Sequence, residues 1–228
     1  MIRAENMVSD KAIDKFVESL KDDGRLPNIQ NPWNDSQNVE NLKEFLKLRK
    51  SAKYILVGEA PGRKGCLQCG VPFCDDYTIE KILGKDLGKK KKLKETSAQR
   101  IYAVFGNNFI AWNAFPYQPC KSPTDKTNRT PSSDEIQYGL SKLKEFLQLF
   151  GGDKTIFLLG SKALDAWQKL VDKEQNQSFL KNQCIKLLHP SSQADRYRKK
   201  GGMDGWKEYI NEQLKELSKK NSRILQKI

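Results

Sequence analysis

The sequence predicts an α/β fold in which helices cover both faces of a four-stranded parallel sheet. Four short segments have the length and apolar composition of strands that are buried on both faces. They span residues 54–57, 108–113, 155–159 and 184–188. Helical patterns fall between and after these segments, and strands that alternate with helices form parallel sheets. The length of 228 residues is enough for one domain with a hydrophobic core.

Two amphipathic helices are predicted before the first strand, over residues 10–20 and 39–48, with Ser9 as the N-cap of the first. Residues 24–36 between them read as a loop. The later helices are predicted over residues 77–83, 97–105, 134–150, 162–171 and 205–220. We therefore expect residues 1–50 to be a helical extension packed on the core of an α/β domain that spans residues 51–228.

Two local signals support these boundaries. Ser132 and Glu135 have the spacing of a capping box at the start of the longest predicted helix, and Gly151 with Gly152 is its natural end. The lysine-rich segment at residues 85–94 is predicted to be an exposed loop.

The charge balance indicates a polyanionic partner. Lys and Arg outnumber Asp and Glu by 41 to 28, a formal net charge of +13, and a surplus of this size favours nucleic acid. A lysine-rich surface without a binding role is the alternative. No apolar stretch approaches the roughly 20 residues of a membrane span, and the first residues are too polar for a signal peptide. We expect a cytoplasmic monomer.

Polar side chains follow the ends of the predicted strands. Glu59 comes after the first, Asn113 ends the second, Ser161 follows the third, and His189 with Ser191 and Ser192 follows the fourth. In parallel sheets, ligands bind at the carboxyl ends of the strands. Taken singly, Glu59 could cap a helix or pair with a lysine, and His189 could be a buried structural histidine. Together they predict a site at one edge of the sheet.

This set of groups suits a nucleobase that has left the duplex. Phe73, on a loop just after Glu59, could stack on a flat ring, and the amide of Asn113 could read its edge. Basic side chains would contact the phosphates.

Five motifs occur in the order seen in a known family. They are GEAPG at 58–62, GVPF at 70–73, WNAFPYQPCKSPTDKTNRTPSSDEI at 112–136, LLGSKA at 158–163 and HPSS at 189–192. The chain resembles the uracil-DNA glycosylase superfamily over about residues 52–210, and its GEAPG form is similar to the thermostable family-four branch of bacteria and archaea. The resemblance implies a three-layer α/β/α sandwich around a four-stranded parallel sheet. It also implies hydrolysis of the bond between a damaged base and deoxyribose, which leaves an abasic site.

The resemblance also implies roles for individual residues. Glu59 would orient and polarise the attacking water, and His189 would stabilise negative charge on the departing base. Phe73 would stack on the base, and Asn113 would read its edge. The other implied contacts are base contacts at Gly58 and Ala60, DNA contacts at Gly62, Ser161, Ser191 and Ser192, and a wedge into the duplex from residues 193–202, with Arg196 and Tyr197 as candidates.

The cysteines depart from the resembled branch, which carries an iron-sulfur cluster on four cysteines, two of them near the N-terminus. No cysteine here precedes Cys66, and five cysteines is an odd number for a disulfide framework. Cys66, Cys69, Cys74 and Cys120 have a ligand-like spacing. We expect free thiols around the pocket and no cofactor, with a metal or cluster as the alternative.

Uracil is the expected base, because an amide such as that of Asn113 can both donate to and accept from its edge; hypoxanthine or xanthine is the next choice. Three rival functions remain. The first is a catalytically silent nucleic-acid binder of the same fold. The second is a hydrolase or nucleotide-binding enzyme with a phosphate loop at residues 58–62, which the missing glycine-rich signatures weaken. The third is an enzyme with Cys66 or Cys120 as nucleophile beside His189.

Overall fold

A four-stranded parallel sheet forms the centre of the protein. The computed structural model describes residues 8–21, 26–122, 124, 127–174 and 177–225, with side chains to residue 219. The strands are β1 (Ile29–Gln30), β2 (Tyr54–Gly58), β3 (Phe109–Asn113), β4 (Gln118–Pro119), β5 (Thr155–Leu159) and β6 (Cys184–Leu187). The helices are α1 (Asp10–Glu18), α2 (Ser36–Arg49), α3 (Cys66–Cys69), α4 (Asp76–Leu83), α5 (Thr96–Phe105), α6 (Ser133–Phe150), α7 (Ser161–Lys173) and α8 (Gly202–Leu225).

The sheet has the strand order β3-β2-β5-β6, and all of its neighbouring pairs are parallel. The four predicted strands are therefore confirmed to within one residue at their ends. Gly58 pairs with Asn113 in the register of β2 and β3, which places the ends of these strands side by side.

Helices cover both faces of the sheet. Strand β3 shows this, since successive side chains of a strand point to opposite faces. On one face, Phe109 packs against Phe45 of α2 and Tyr102 of α5. On the other, Trp112 packs against Phe16 of α1 and stacks on Phe146 of α6, with ring centroids 5.3 Å apart. These layers are the predicted α/β/α sandwich.

The two N-terminal helices contribute to the same core as the sheet. The Ser9 side chain accepts a hydrogen bond from the Ala12 backbone N–H at 3.2 Å, as expected for an N-cap. Helix α2 begins three residues before its predicted start, because Asp35 caps it by accepting from the Asn38 N–H at 3.1 Å. Both predicted parts contain residues that lie outside the described ones, namely 1–7 and 22–25 in the first, and 123, 125–126, 175–176 and 226–228 in the second.

The capping box of α6 is present in both directions. The Ser132 hydroxyl accepts from the Glu135 N–H, and the Glu135 carboxylate accepts from the Ser132 N–H at 2.7 Å. The helix ends at Phe150, before the two glycines, as predicted. None of the described helices is both long and apolar enough to cross a membrane.

Two short strands and one short α-helix were not predicted. Strands β1 and β4 form an antiparallel ladder of two residue pairs, so part of the predicted loop over residues 24–36 is a strand. Helix α3 has four residues and lies between Gly65 and Gly70. Elements this short have too few residues for a hydrophobic period. The lysine-rich segment is a loop as predicted, but Lys89 pairs with Asp76 and Lys92 with Glu80, both at 2.7 Å, which ties it to α4.

Candidate active site

A cavity of about 530 Å³ opens at the carboxyl ends of the strands. Eleven of the twelve residues predicted for the site line it, and the twelfth, Gly58, lies directly against two of them. The lining members are Glu59, Ala60, Gly62, Phe73, Asn113, Ser161, His189, Ser191, Ser192, Arg196 and Tyr197. Segments more than a hundred residues apart in sequence therefore meet at the predicted edge of the sheet.

Gly58 allows Phe73 and Asn113 to approach each other. A Cβ at this position would lie 2.6 Å from Oδ1 of Asn113 and 2.6 Å from Cζ of Phe73, which is closer than such atoms pack. Phe73 has a φ of 55°, a left-handed conformation that is uncommon for a residue with a side chain. Backbone strain of this kind clusters at functional sites, where surrounding structure stabilises it.

The loop that carries Glu59 is fixed by backbone hydrogen bonds. The carbonyl of Gly58 accepts from the Ala114 N–H at 2.8 Å, and that of Glu59 accepts from the Phe115 N–H at 2.9 Å. Burial raises the pKa of the Glu59 carboxyl, while hydrogen bonding with Thr130 and the positive charge of Lys162 act in the opposite direction. A carboxylate is thus held at the cavity wall with a lysine nearby.

His189 presents a neutral ring to the cavity. Its Nδ1 accepts a hydrogen bond from the Ser191 backbone N–H at 3.1 Å, so in the neutral ring the proton is on Nε2. Burial lowers the pKa of His189 to about 4, which keeps the ring neutral at pH 7. The imidazole can therefore donate a hydrogen bond from Nε2, with its centroid 6.5 Å from that of Phe73.

Residues 190–201, here called the rim loop, border the mouth of the cavity. Tyr197 is 65% exposed, and the Arg196 guanidinium lies 4.9 Å from the centre of its ring. Buried Arg100 anchors the loop by donating to the Pro190 carbonyl at 3.0 Å and pairing with Asp195 at 2.9 Å. Asp195 also pairs with Arg198.

Some lining residues were not predicted. Arg129 pairs with Glu135 through two contacts of 2.6 Å and donates to the Cys120 carbonyl at 2.8 Å, which orders the segment that carries Thr130. Arg129 and Thr130 belong to the NRTP motif quoted above, and that motif was the sequence signal that could have identified them. Glu95 lines the cavity from the start of α5, and no sequence motif marks it.

Comparison with known proteins identifies the family. Residues 46–215 match the model of the uracil DNA glycosylase superfamily. The chain belongs to this superfamily. Membership confirms the predicted family and supports a DNA glycosylase, a hydrolase that acts on DNA.

No match is found among curated proteins. Among solved structures, the fold is similar to the crystal structure of wild-type SMUG2 from Pedobacter heparinus, with a TM-score of 0.71. The two chains are 20% identical, and the alignment covers 93% of this chain and 98% of that one. At this identity the likeness shows a shared fold.

Cys69 hydrogen-bonds with Cys74 and lies near Cys66, but these thiols are not arranged as the ligands of a cluster would be. Cys66 lines the cavity, whereas Cys69, Cys74 and Cys120 are buried away from its wall. Burial raises the pKa values of the Cys66 and Cys74 thiols, which favours the neutral form. Metal ligands and nucleophiles are thiolates, so this environment disfavours both roles. Within the described parts of the chain, no group of three or more His, Cys, Asp or Glu side chains is arranged to hold a metal ion. The four candidates thus do not fit a four-cysteine cluster; the absence of a cofactor stays a prediction.

Proposed function

We propose that the protein is a monofunctional DNA glycosylase that removes uracil from DNA by hydrolysing its N-glycosidic bond and leaves an abasic site. The observation that carries this proposal is the meeting of a carboxylate, Glu59, and a neutral imidazole, His189, across one cavity. An aromatic ring and an amide, those of Phe73 and Asn113, lie in the same cavity.

The two polar groups match the charges of the transition state. As the glycosidic bond breaks, positive charge grows on the sugar and negative charge grows on the base. The Glu59 carboxylate orients a water toward the sugar carbon, stabilises the cation and accepts the proton that the water loses. The Nε2–H of His189 donates to the departing base, and a donor positioned in advance acts where the negative charge develops in the transition state. Water supplies the new bond to the sugar, so no covalent nucleophile is required.

The remaining cavity residues recognise the base. Phe73 stacks on its face, and its packing against Gly58 fixes the plane of the ring. The Asn113 amide accepts from the N3–H of uracil and donates to O4, whereas cytosine presents the donor and the acceptor in the reverse order. Ala60 completes the wall beside Glu59.

The mouth of the cavity contacts DNA in this proposal. Ser161, Ser191 and Ser192 and the backbone at Gly62 lie where the phosphates beside a flipped nucleotide would pass. Tyr197, with Arg196 against its ring, occupies the space that the base leaves in the duplex. The net charge of +13 supplies the general attraction to the DNA backbone.

Hypoxanthine or xanthine is a second candidate substrate. A cavity of about 530 Å³ accommodates a purine as well as a pyrimidine. The amide of Asn113 can also pair with the adjacent N–H and carbonyl groups of these purines.

The test uses end-labelled oligonucleotides that contain one uracil, hypoxanthine or xanthine. After incubation with the protein and alkali treatment, strand cleavage at the lesion reports an abasic site. We expect the fastest cleavage at uracil. Binding of the DNA without cleavage of any lesion would instead indicate a catalytically silent binder.

A further inference from the structure

Glu95 occupies an unusual place for a helix N-cap residue. It precedes α5, but its side chain makes no capping hydrogen bond. Its carboxyl instead lines the cavity and packs against the loop after Glu59. A side chain added at Gly62 or Gly65 would collide with the Glu95 carboxyl oxygens. The two glycines therefore leave the space that this carboxyl fills.

The surroundings of Glu95 disfavour its charge. The carboxylate of Asp75, itself fully buried, accepts from the Glu95 backbone N–H at 2.9 Å. In the described parts of the chain, no Lys or Arg pairs with Glu95. Burial, and then the negative charge of Asp75, raise the pKa of Glu95 to about 7.

The other charged groups around the cavity do not offset this effect. Glu59 adds negative charge, and the positive charge of Lys162 acts on Glu59. His189 is neutral, and Arg129 is paired with Glu135. Arg196 lies at the mouth against Tyr197. The N-terminal end of α5 stabilises the carboxylate form of Glu95, but by less free energy than burial destabilises it.

We propose that Glu95 is a specificity-determining residue of the base pocket: its carboxyl forms the wall beside Gly62 and Gly65 and, in its neutral form, donates a hydrogen bond to a carbonyl oxygen of the flipped base. A neutral carboxyl has one O–H donor, whereas a carboxylate has none and repels a carbonyl oxygen. Buried acids kept neutral act as donors in this way in other enzymes. This inference rests on the proposed function, and the donor favours bases with a carbonyl group, such as uracil, hypoxanthine and xanthine, over adenine, which has none.

The opposite protonation states required of Glu59 and Glu95 give the reaction a bell-shaped pH profile. Glu59 must lose its proton to orient water, which sets the acid limb. Glu95 must keep its proton, so kcat/KM falls about tenfold per pH unit above the pKa of Glu95, near 7. His189, with a pKa of about 4, stays neutral over this range, and the pKa of Cys66 is raised well above it.

The kinetic test compares Glu95→Gln with the wild type on uracil-containing oligonucleotides. Glutamine keeps a hydrogen-bond donor at every pH, so the alkaline limb disappears and the variant exceeds the wild type by about tenfold one pH unit above the limb. Glu44→Gln is the matched control, because Glu44 lies on α2 in an exposed pair with Lys85 and should keep the limb. An alkaline limb that persists in Glu95→Gln would overturn the inference.

A second measurement does not depend on catalysis or on the folding of that variant. Carboxyl NMR signals of the protein labelled at glutamate are titrated with and without a uracil-containing oligonucleotide in the Glu59→Gln background, and Glu95→Asp assigns the signal. We expect one glutamate to titrate near 7 and to shift upward on binding uracil, but not on binding an abasic analogue. Titration near the usual value of 4.5, or no upward shift, would overturn the inference. If the wild type does not cleave DNA at uracil but the shift is retained, the result would count against the proposed function alone.

Discussion

The floor of the cavity and the rim loop are built in different ways. The floor comprises Glu59, Phe73, Asn113 and His189, which follow or end strands of the sheet or pack against them. Asn113 is 4% exposed and Phe73 8%, whereas Tyr197 of the rim loop is 65% exposed. Asn113 and Phe73 of the floor thus belong to the core, Glu59 and His189 are half-buried beside them, and Tyr197 of the rim loop lies on the surface.

The stabilising contacts differ in the same way. The floor depends on strand register and on backbone hydrogen bonds at 2.8 and 2.9 Å that join the ends of β2 and β3. The rim loop depends on buried Arg100 and its contacts with Pro190 and Asp195. Changes in the floor should therefore affect the rate of the chemical step, whereas changes in the rim loop should affect DNA binding and the extraction of the base.

The largest expected effect in the floor, apart from loss of Glu59, is that of His189→Ala. The variant lacks the Nε2–H donor, and removal of one such positioned donor costs about 10²–10³ in rate. Single-turnover rates on a uracil oligonucleotide at saturating enzyme measure the effect. Unchanged affinity for the same DNA is expected, and a loss confined to affinity would assign His189 to the rim function.

Gly58→Ala is the next largest, although it adds a single methyl group. The new Cβ would lie 2.6 Å from both Asn113 and Phe73, and displacement of positioning groups by about 1 Å can cost up to about 10²-fold in rate. Gly201→Ala in the rim loop is the matched control, since its Cβ would meet Asp195 at an ordinary 3.6 Å. Equal single-turnover rates for the two variants would contradict the predicted difference between the floor and the rim loop.

The smallest effect is expected for Tyr197→Ala, and it should depend on the substrate. Extraction of a base from a duplex costs a few kcal/mol of stacking and pairing, which a wedge compensates; a single strand needs less help. We expect kcat/KM to fall about tenfold on duplex DNA and to change little on single strands. Tyr77→Ala on α4, also exposed, is the control. Similar losses on both substrates would remove Tyr197 as the wedge.

Much of the fold, and the residues of the site that follow the strand ends, could be predicted from the sequence, because both depend on local patterns. Apolar strands of five residues and a capping box are visible along the chain, and the end of each parallel strand must lie at the same edge. That rule alone brings Glu59, Asn113 and His189 together.

The rest depends on contacts between distant segments. Glu95 lines the cavity because Gly62 and Gly65 leave room for its carboxyl, and no local pattern encodes that approach. Arg100 meets Asp195, 95 residues later, through tertiary packing. The β1–β4 ladder is too short for periodicity.

The most direct test of the central claim, that the floor hydrolyses the glycosidic bond with water oriented by Glu59, is the comparison of Glu59→Gln with the wild type. Single-turnover uracil excision and DNA affinity are measured for both proteins on one oligonucleotide. We expect the rate of Glu59→Gln to be lower by about 10²–10³, with the affinity for DNA retained. An unaltered rate in Glu59→Gln would contradict the central claim.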